Sequence, residues 1–149
     1  MQEGKLFIKH ETWSRVLVSA VCLLGLLCVY WLQAGWLNLT TQLKPYVGSL
    51  GSFLLNRLLR LLLNDLFMLG LFAAIFNRSA EVRIGTLVAF FELIFLLPAY
   101  IVLKFALEGD IEISNPLLSF VHRLIVNPLL MIILLFSLVY QRYLVSRAH

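Results

Sequence analysis

Charge is scarce in this sequence. Eight Asp/Glu and twelve Lys/Arg leave 13% of the 149 residues charged, well short of the usual share in soluble domains. With 61% of residues hydrophobic and a mean hydropathy of +0.92, no water-soluble core of this size hides so much apolar surface. That surface must face lipid. Cysteine is equally sparse: Cys22 and Cys28 are the only two, both within the first apolar stretch. Their six-residue separation is about 240° around a helix, so they cannot bridge each other there, and neither has metal-ligand spacing. They read as small hydrophobes, and neither a metal nor another cofactor is expected. The basic excess is modest as well, at +4 with a pI near 9.3. Most basic residues stand beside helix ends and form no run with interleaved aromatics, so no nucleic-acid partner is expected. The sequence has no internal repeat, low-complexity tract or separate soluble domain.

What is present is four long apolar stretches, each near the 20 residues that a membrane-crossing helix needs. They cover about 13–33, 52–76, 84–107 and 117–140. The fold class expected is all-α: a polytopic four-helix membrane domain spanning 1–149, with both termini cytoplasmic. The first stretch has basic flanks, like a signal peptide, but it is too long and lacks a small-x-small cleavage site, so it reads as a retained helix. Trp13, Tyr30, Trp31 and Trp36 are its interfacial anchors. A loop over 34–49, carrying Lys44, Pro45 and Gly48, a short polar hairpin over 77–83, and an acidic loop over 108–116 with Asp110 and Glu112 separate the spans. Pro98 predicts a kink in the third helix. Orientation follows from the basic residues of short loops. Lys5, Lys9, Arg15, Arg78, Arg83, Arg142 and Arg147 lie on one side, Lys44 and Lys104 on the other, which puts both ends inside.

Arg57, Arg60 and Arg123 fall within spans. An ionised side chain at the bilayer centre costs on the order of 2.5–3.5 kcal/mol on insertion scales, so such groups face the bundle and have partners. Asn56, Arg57, Arg60 and Asn64 share an arc of about 100° on the second helix, which Asp65 widens to about 180°. With the N-terminus inside, Arg57 and Arg60 lie in the outer half of the second helix, and His122 and Arg123 of the fourth lie at the same depth. Asp65 and Glu92, nearer the midplane, are the internal counter-charges available. If both are used there, at least one guanidinium lacks a carboxylate. Two readings stay open. In one, Asn56, Asn64 and Asn127 satisfy the arginines in a structural network, helped by snorkelling. In the other, Arg57, Arg60, Asn64, His122, Arg123 and Asn127 form a cationic notch for a lipid phosphate, a carboxylate or an acidic group of a partner protein.

Two further activities can be drawn from the residues. A proton relay would start from Glu92, but it needs a second titrating station along a wet path, and only Asp65 is available for that. An acyl-transfer site could join Cys28 to His122 and Arg123, yet the surroundings Gly25-Leu26-Leu27-Cys28-Val29 show no nucleophile elbow and no placed base. No catalytic residue is therefore assigned. An intramembrane cysteine transferase or a small transporter acting alone is the alternative to a binding subunit.

Two stretches carry a resemblance. Asn56-Arg57-Leu58-Leu59-Arg60-Leu61-Leu62-Leu63-Asn64-Asp65, with the apolar run to Phe76, resembles the second helix of the exosortase F system-associated membrane proteins. The stretch Phe120-Val121-His122-Arg123-Leu124-Ile125-Val126-Asn127-Pro128-Leu129-Leu130, with Tyr140-Gln141 at its end, is similar to their last helix. His122 stands in place of an arginine of a basic pair, and Asn127 in place of a glutamine. The resemblance implies a multi-pass protein of the bacterial inner membrane, an accessory or assembly subunit in protein sorting whose partner is another integral membrane protein, an exosortase. It supplies a partner class and no reaction.

Overall fold

The computed structural model describes residues 3–32, 39–76, 79–107 and 116–147. All the regular structure among them is helical: α1 (Glu3–Leu32), α2 (Leu39–Ile75), α3 (Ser79–Phe91), a π turn (Glu92–Leu96) leading into α4 (Leu97–Leu107), α5 (Pro116–Val126) and α6 (Leu129–Arg147). Three stretches, Trp13–Trp31, Pro45–Ile75 and Ala80–Leu107, are long and apolar enough to cross a membrane. A fourth stretch, Leu118–Leu124 with Leu129–Val145, is long and apolar enough only as a pair, bent as in a broken span or a re-entrant loop. Trp36, Asn77, Arg78 and the acidic loop with Asp110 and Glu112 lie outside the described residues.

α2 is the central element, with 44% of its span buried against 11% for that of α1. Two adjoining ridges, a polar one at four-residue spacing and an apolar one at steps of four, seven and eight, explain this. Ser52, Asn56, Arg60 and Asn64 form a buried polar ridge, while Phe53, Leu61, Met68, Phe72 and Phe76 form a buried apolar one. Such ridges are what 3.6-residue periodicity lays side by side on a helix. α1 packs antiparallel against α2 through glycines: a Cβ at Gly25 would strike the Phe67 ring, and one at Gly70 the Cys22 sulfur. In lipid, where apolar surface gives no drive to associate, such close backbone approach supplies the dispersion contacts.

The registers agree along the molecule. Arg15 of α1 lines a groove with Ala74 of α2, and Arg142 of α6 reaches Glu81 and the Phe76 ring. The described parts of the two terminal helices therefore point to the same end of the bundle, here called the terminal end. Trp13 and Trp31 are both well exposed and stand about 27 Å apart along α1 at 1.5 Å per residue, close to the thickness of the hydrocarbon layer.

Three elements depart from the sequence expectation. The loop over 34–49 is in part helix, because α2 begins at Leu39 and bends at Gly48, whose φ of 75° and ψ of 173° interrupt the helix. That backbone region is accessible essentially to glycine alone, so Gly48 does act as a breaker, but between two helical pieces. Near Pro98 the helix widens into a π turn, in which Leu97 N–H donates to the Glu92 carbonyl. Proline lacks the N–H that the carbonyl four residues earlier would use, and the wider turn accommodates that loss locally. The fourth span, expected as one helix over 117–140, breaks at Asn127-Pro128 with a bend of 56°. Proline removes a helical donor and disfavours helical geometry in the residue before it.

Candidate functional site

The π turn determines what meets α2. Glu92, Leu97, Tyr100 and Lys104 are all buried. In an unbroken α-helix Lys104 would be rotated about 120° from Glu92 at 100° per residue. The wider turn removes much of that offset, and one face carries the carboxyl, the phenol and the ammonium together.

Opposite this face, α2 presents Phe53, Arg57, Arg60 and Asp65. The Arg57 guanidinium lies 5.0 Å above the Phe53 ring and the Lys104 ammonium 5.7 Å from the same ring, so one aromatic ring serves two cations. Arg57 also reaches the Tyr100 hydroxyl, which lies 3.2 Å from His122 Nδ1 on α5. Arginine can only donate. The Tyr100 oxygen therefore accepts from Arg57, and the same hydroxyl is shared with His122 Nδ1. The two rings pack at 5.7 Å between centroids. Arg60, Lys104 and Arg123 are likewise near enough to act on the charge of His122. Three helices thus bring five basic side chains to one level.

Among the described residues, the Arg57 and Arg60 guanidinium groups are not matched by carboxylates: none lies within ion-pair distance of either, and Glu81 pairs with Arg142 instead, at 3.4 Å near the terminal end. The Nε atoms of Arg57 and Arg60 are buried without hydrogen-bond partners. Asp65 and Glu92 lie against each other instead, about 7 Å beyond Arg60 along α2 at 1.5 Å per residue. Asp65 Oδ1 and both Glu92 carboxyl oxygens are buried, and these two carboxyls are each other's hydrogen-bonding neighbour.

The remaining residues singled out in the sequence divide. Asn64 is buried next to Asp65, Asn127 sits half-buried at the break between α5 and α6, and Arg123 is exposed. Asn56 Oδ1 is buried without a hydrogen-bond partner, so this atom does not satisfy the arginines. Cys28 is exposed on α1, while Cys22 is buried in the α1–α2 seam. Sequence reasoning misses Phe53, Tyr100 and Lys104. Their signal is the four-residue step from Phe53 to Arg57 and from Tyr100 to Lys104, two aromatic-to-cation pairs inside apolar stretches.

These features define an all-helical protein with three or four helices fit to cross a membrane, built around a buried cationic layer. Comparison of the chain with protein families, curated proteins and solved structures finds no match.

Proposed function

We propose that this protein is an accessory or assembly subunit of a bacterial inner-membrane complex, and that it binds an anionic group of a membrane partner at the layer formed by Arg57, Arg60, Lys104 and His122. The observation that carries this reading is the mismatch of buried charge. Two guanidinium groups stand without a carboxylate among the described residues, while the carboxyls at membrane depth meet each other. A buried cation lacking a counter-ion is strongly disfavoured, and an incoming carboxylate or phosphate would relieve that cost through charge-assisted hydrogen bonds. The excess of Lys and Arg in the sequence beside the two terminal helices and between the second and third spans supports an orientation with both termini in the cytoplasm. This puts the cationic layer in the outer half of the bilayer.

The resemblance of the second and fourth spans to exosortase F system-associated proteins makes an exosortase the integral membrane partner proposed, in protein sorting. Nothing in the arrangement favours the cysteine-transferase alternative, because Cys28 is exposed on α1 while His122 is engaged with Tyr100. The test is affinity purification of the tagged chain from native membranes in mild detergent. The wild type is expected to bring down an integral membrane partner that the Arg57→Ala/Arg60→Ala double variant loses. A wild-type chain that runs as a lone monomer would refute the assignment.

A further inference from the structure

A groove at the terminal end brings together residues that the cationic layer does not use. A groove of about 460 Å³ runs between α1 and α2, lined by Arg15, Val16, Ser19, Ala20, Leu23 and Ala74. On α1 these positions follow steps of three and four residues, so they share one face. The small side chains of Ser19, Ala20 and Ala74 keep the groove open. Its two ends differ in chemistry. At one end Arg15 sits half-buried two residues from the exposed Trp13, an aromatic at the depth where lipid headgroups begin. The Arg15 Nη2 atom is shielded from solvent and has no hydrogen-bond partner. From there the groove runs about 12 Å inward to Leu23 at 1.5 Å per residue, and this inner part is apolar apart from the Ser19 hydroxyl.

We propose that the α1–α2 groove binds an anionic phospholipid, with the phosphate against Arg15 and one acyl chain along Val16, Ala20 and Leu23. The polarity along the groove is that of an amphiphile, cation at the interface and hydrocarbon beneath. Its surroundings are lipid, since only 11% of the α1 span is buried by the protein. The negative headgroup follows from the local charge. Arg83, Arg142 and Arg147 belong to the same end; of the carboxylates there, Glu81 is already engaged by Arg142, while the side chains of Glu3 and Glu11 lie outside the described ones. A basic side chain beside an anionic lipid surface is attracted on that account, and the forked guanidinium suits a phosphate.

The test uses the full chain in mild detergent with added phosphatidylglycerol or phosphatidylcholine of identical acyl chains, read by native mass spectrometry. Phosphatidylglycerol is expected to be retained about fivefold more tightly, as one basic contact to an anionic headgroup implies. Arg15→Ala should abolish that preference and Arg15→Lys should keep most of it. Ala20→Trp, which fills the groove and leaves Arg15 in place, should weaken retention of both lipids. Equal retention of the two lipids by the wild type, or an unchanged preference in Arg15→Ala, overturns the proposal. Competition by inorganic phosphate at millimolar concentration would also overturn it, because the site would then be one for a free anion.

Discussion

Replacing Arg60 with leucine should have opposite consequences for the isolated chain and for the assembled one. The side chain is 8% exposed and its Nε has no partner, so in the chain alone its removal relieves a desolvation cost. Arg60→Leu is expected to raise thermal stability in detergent by about 1 kcal/mol or more, followed by circular dichroism, while partner recovery from native membranes falls. A large loss of stability would show instead that the arginine is matched within the subunit. Glu92→Gln is a second case. Two carboxyls in contact repel when both are ionised and hydrogen-bond only while they share one proton, whereas an amide at position 92 donates to Asp65 without taking up a proton. A gain of about 1 kcal/mol, the net worth of one hydrogen bond, is the expected outcome of the same melting experiment.

Among the elements, the α1–α2 seam is the most sensitive to side-chain volume. Gly70→Leu would drive a side chain into the Cys22 sulfur, and overpacking of this kind costs about 1–3 kcal/mol. Because α1 is held mainly through that seam, the variant should show faster proteolysis between α1 and α2 in detergent. Gly70→Leu with wild-type protection would remove the seam from the account. At Gly48, Gly48→Val should lower stability by about 1–3 kcal/mol, since its backbone region is one that side chains exclude; an unchanged melt would mean that the bend survives without glycine. The four apolar stretches and the polar ridge of α2 are legible in the sequence, because both rest on a regular helical period. Lys104 is not. Its place beside Phe53 depends on the π turn, which shifts the phase of every residue after Glu92, and a period counted along the sequence carries no sign of that shift. The pairing of Asp65 with Glu92 is hidden for a related reason: sequence gives the depth of each carboxyl but not which neighbour it faces. The break at Asn127-Pro128 is half legible, since the proline announces a disturbance without giving its angle.

At the scale of the whole molecule, the described parts of the terminal helices point to one end, and the orientation proposed here puts that end in the cytoplasm. Single cysteines placed near Arg147 and in the turn after α2, in a Cys22→Ala/Cys28→Ala background, should be labelled by a membrane-impermeant maleimide only after the cells are opened. Labelling of intact spheroplasts would reverse the orientation and move the cationic layer to the inner half of the bilayer. The layer also has an electrical consequence. Carrying one elementary charge across the full membrane is worth about 2.3 kcal/mol per 100 mV, and two guanidinium groups held roughly a quarter of the way in would together sense on the order of 1 kcal/mol per 100 mV. An energised cell, negative inside, would pull this part of the bundle inward and hold any docked anion less firmly than a depolarised one. Partner affinity in proteoliposomes should therefore weaken when a potassium diffusion potential is imposed, and the dependence should disappear with Arg57 and Arg60.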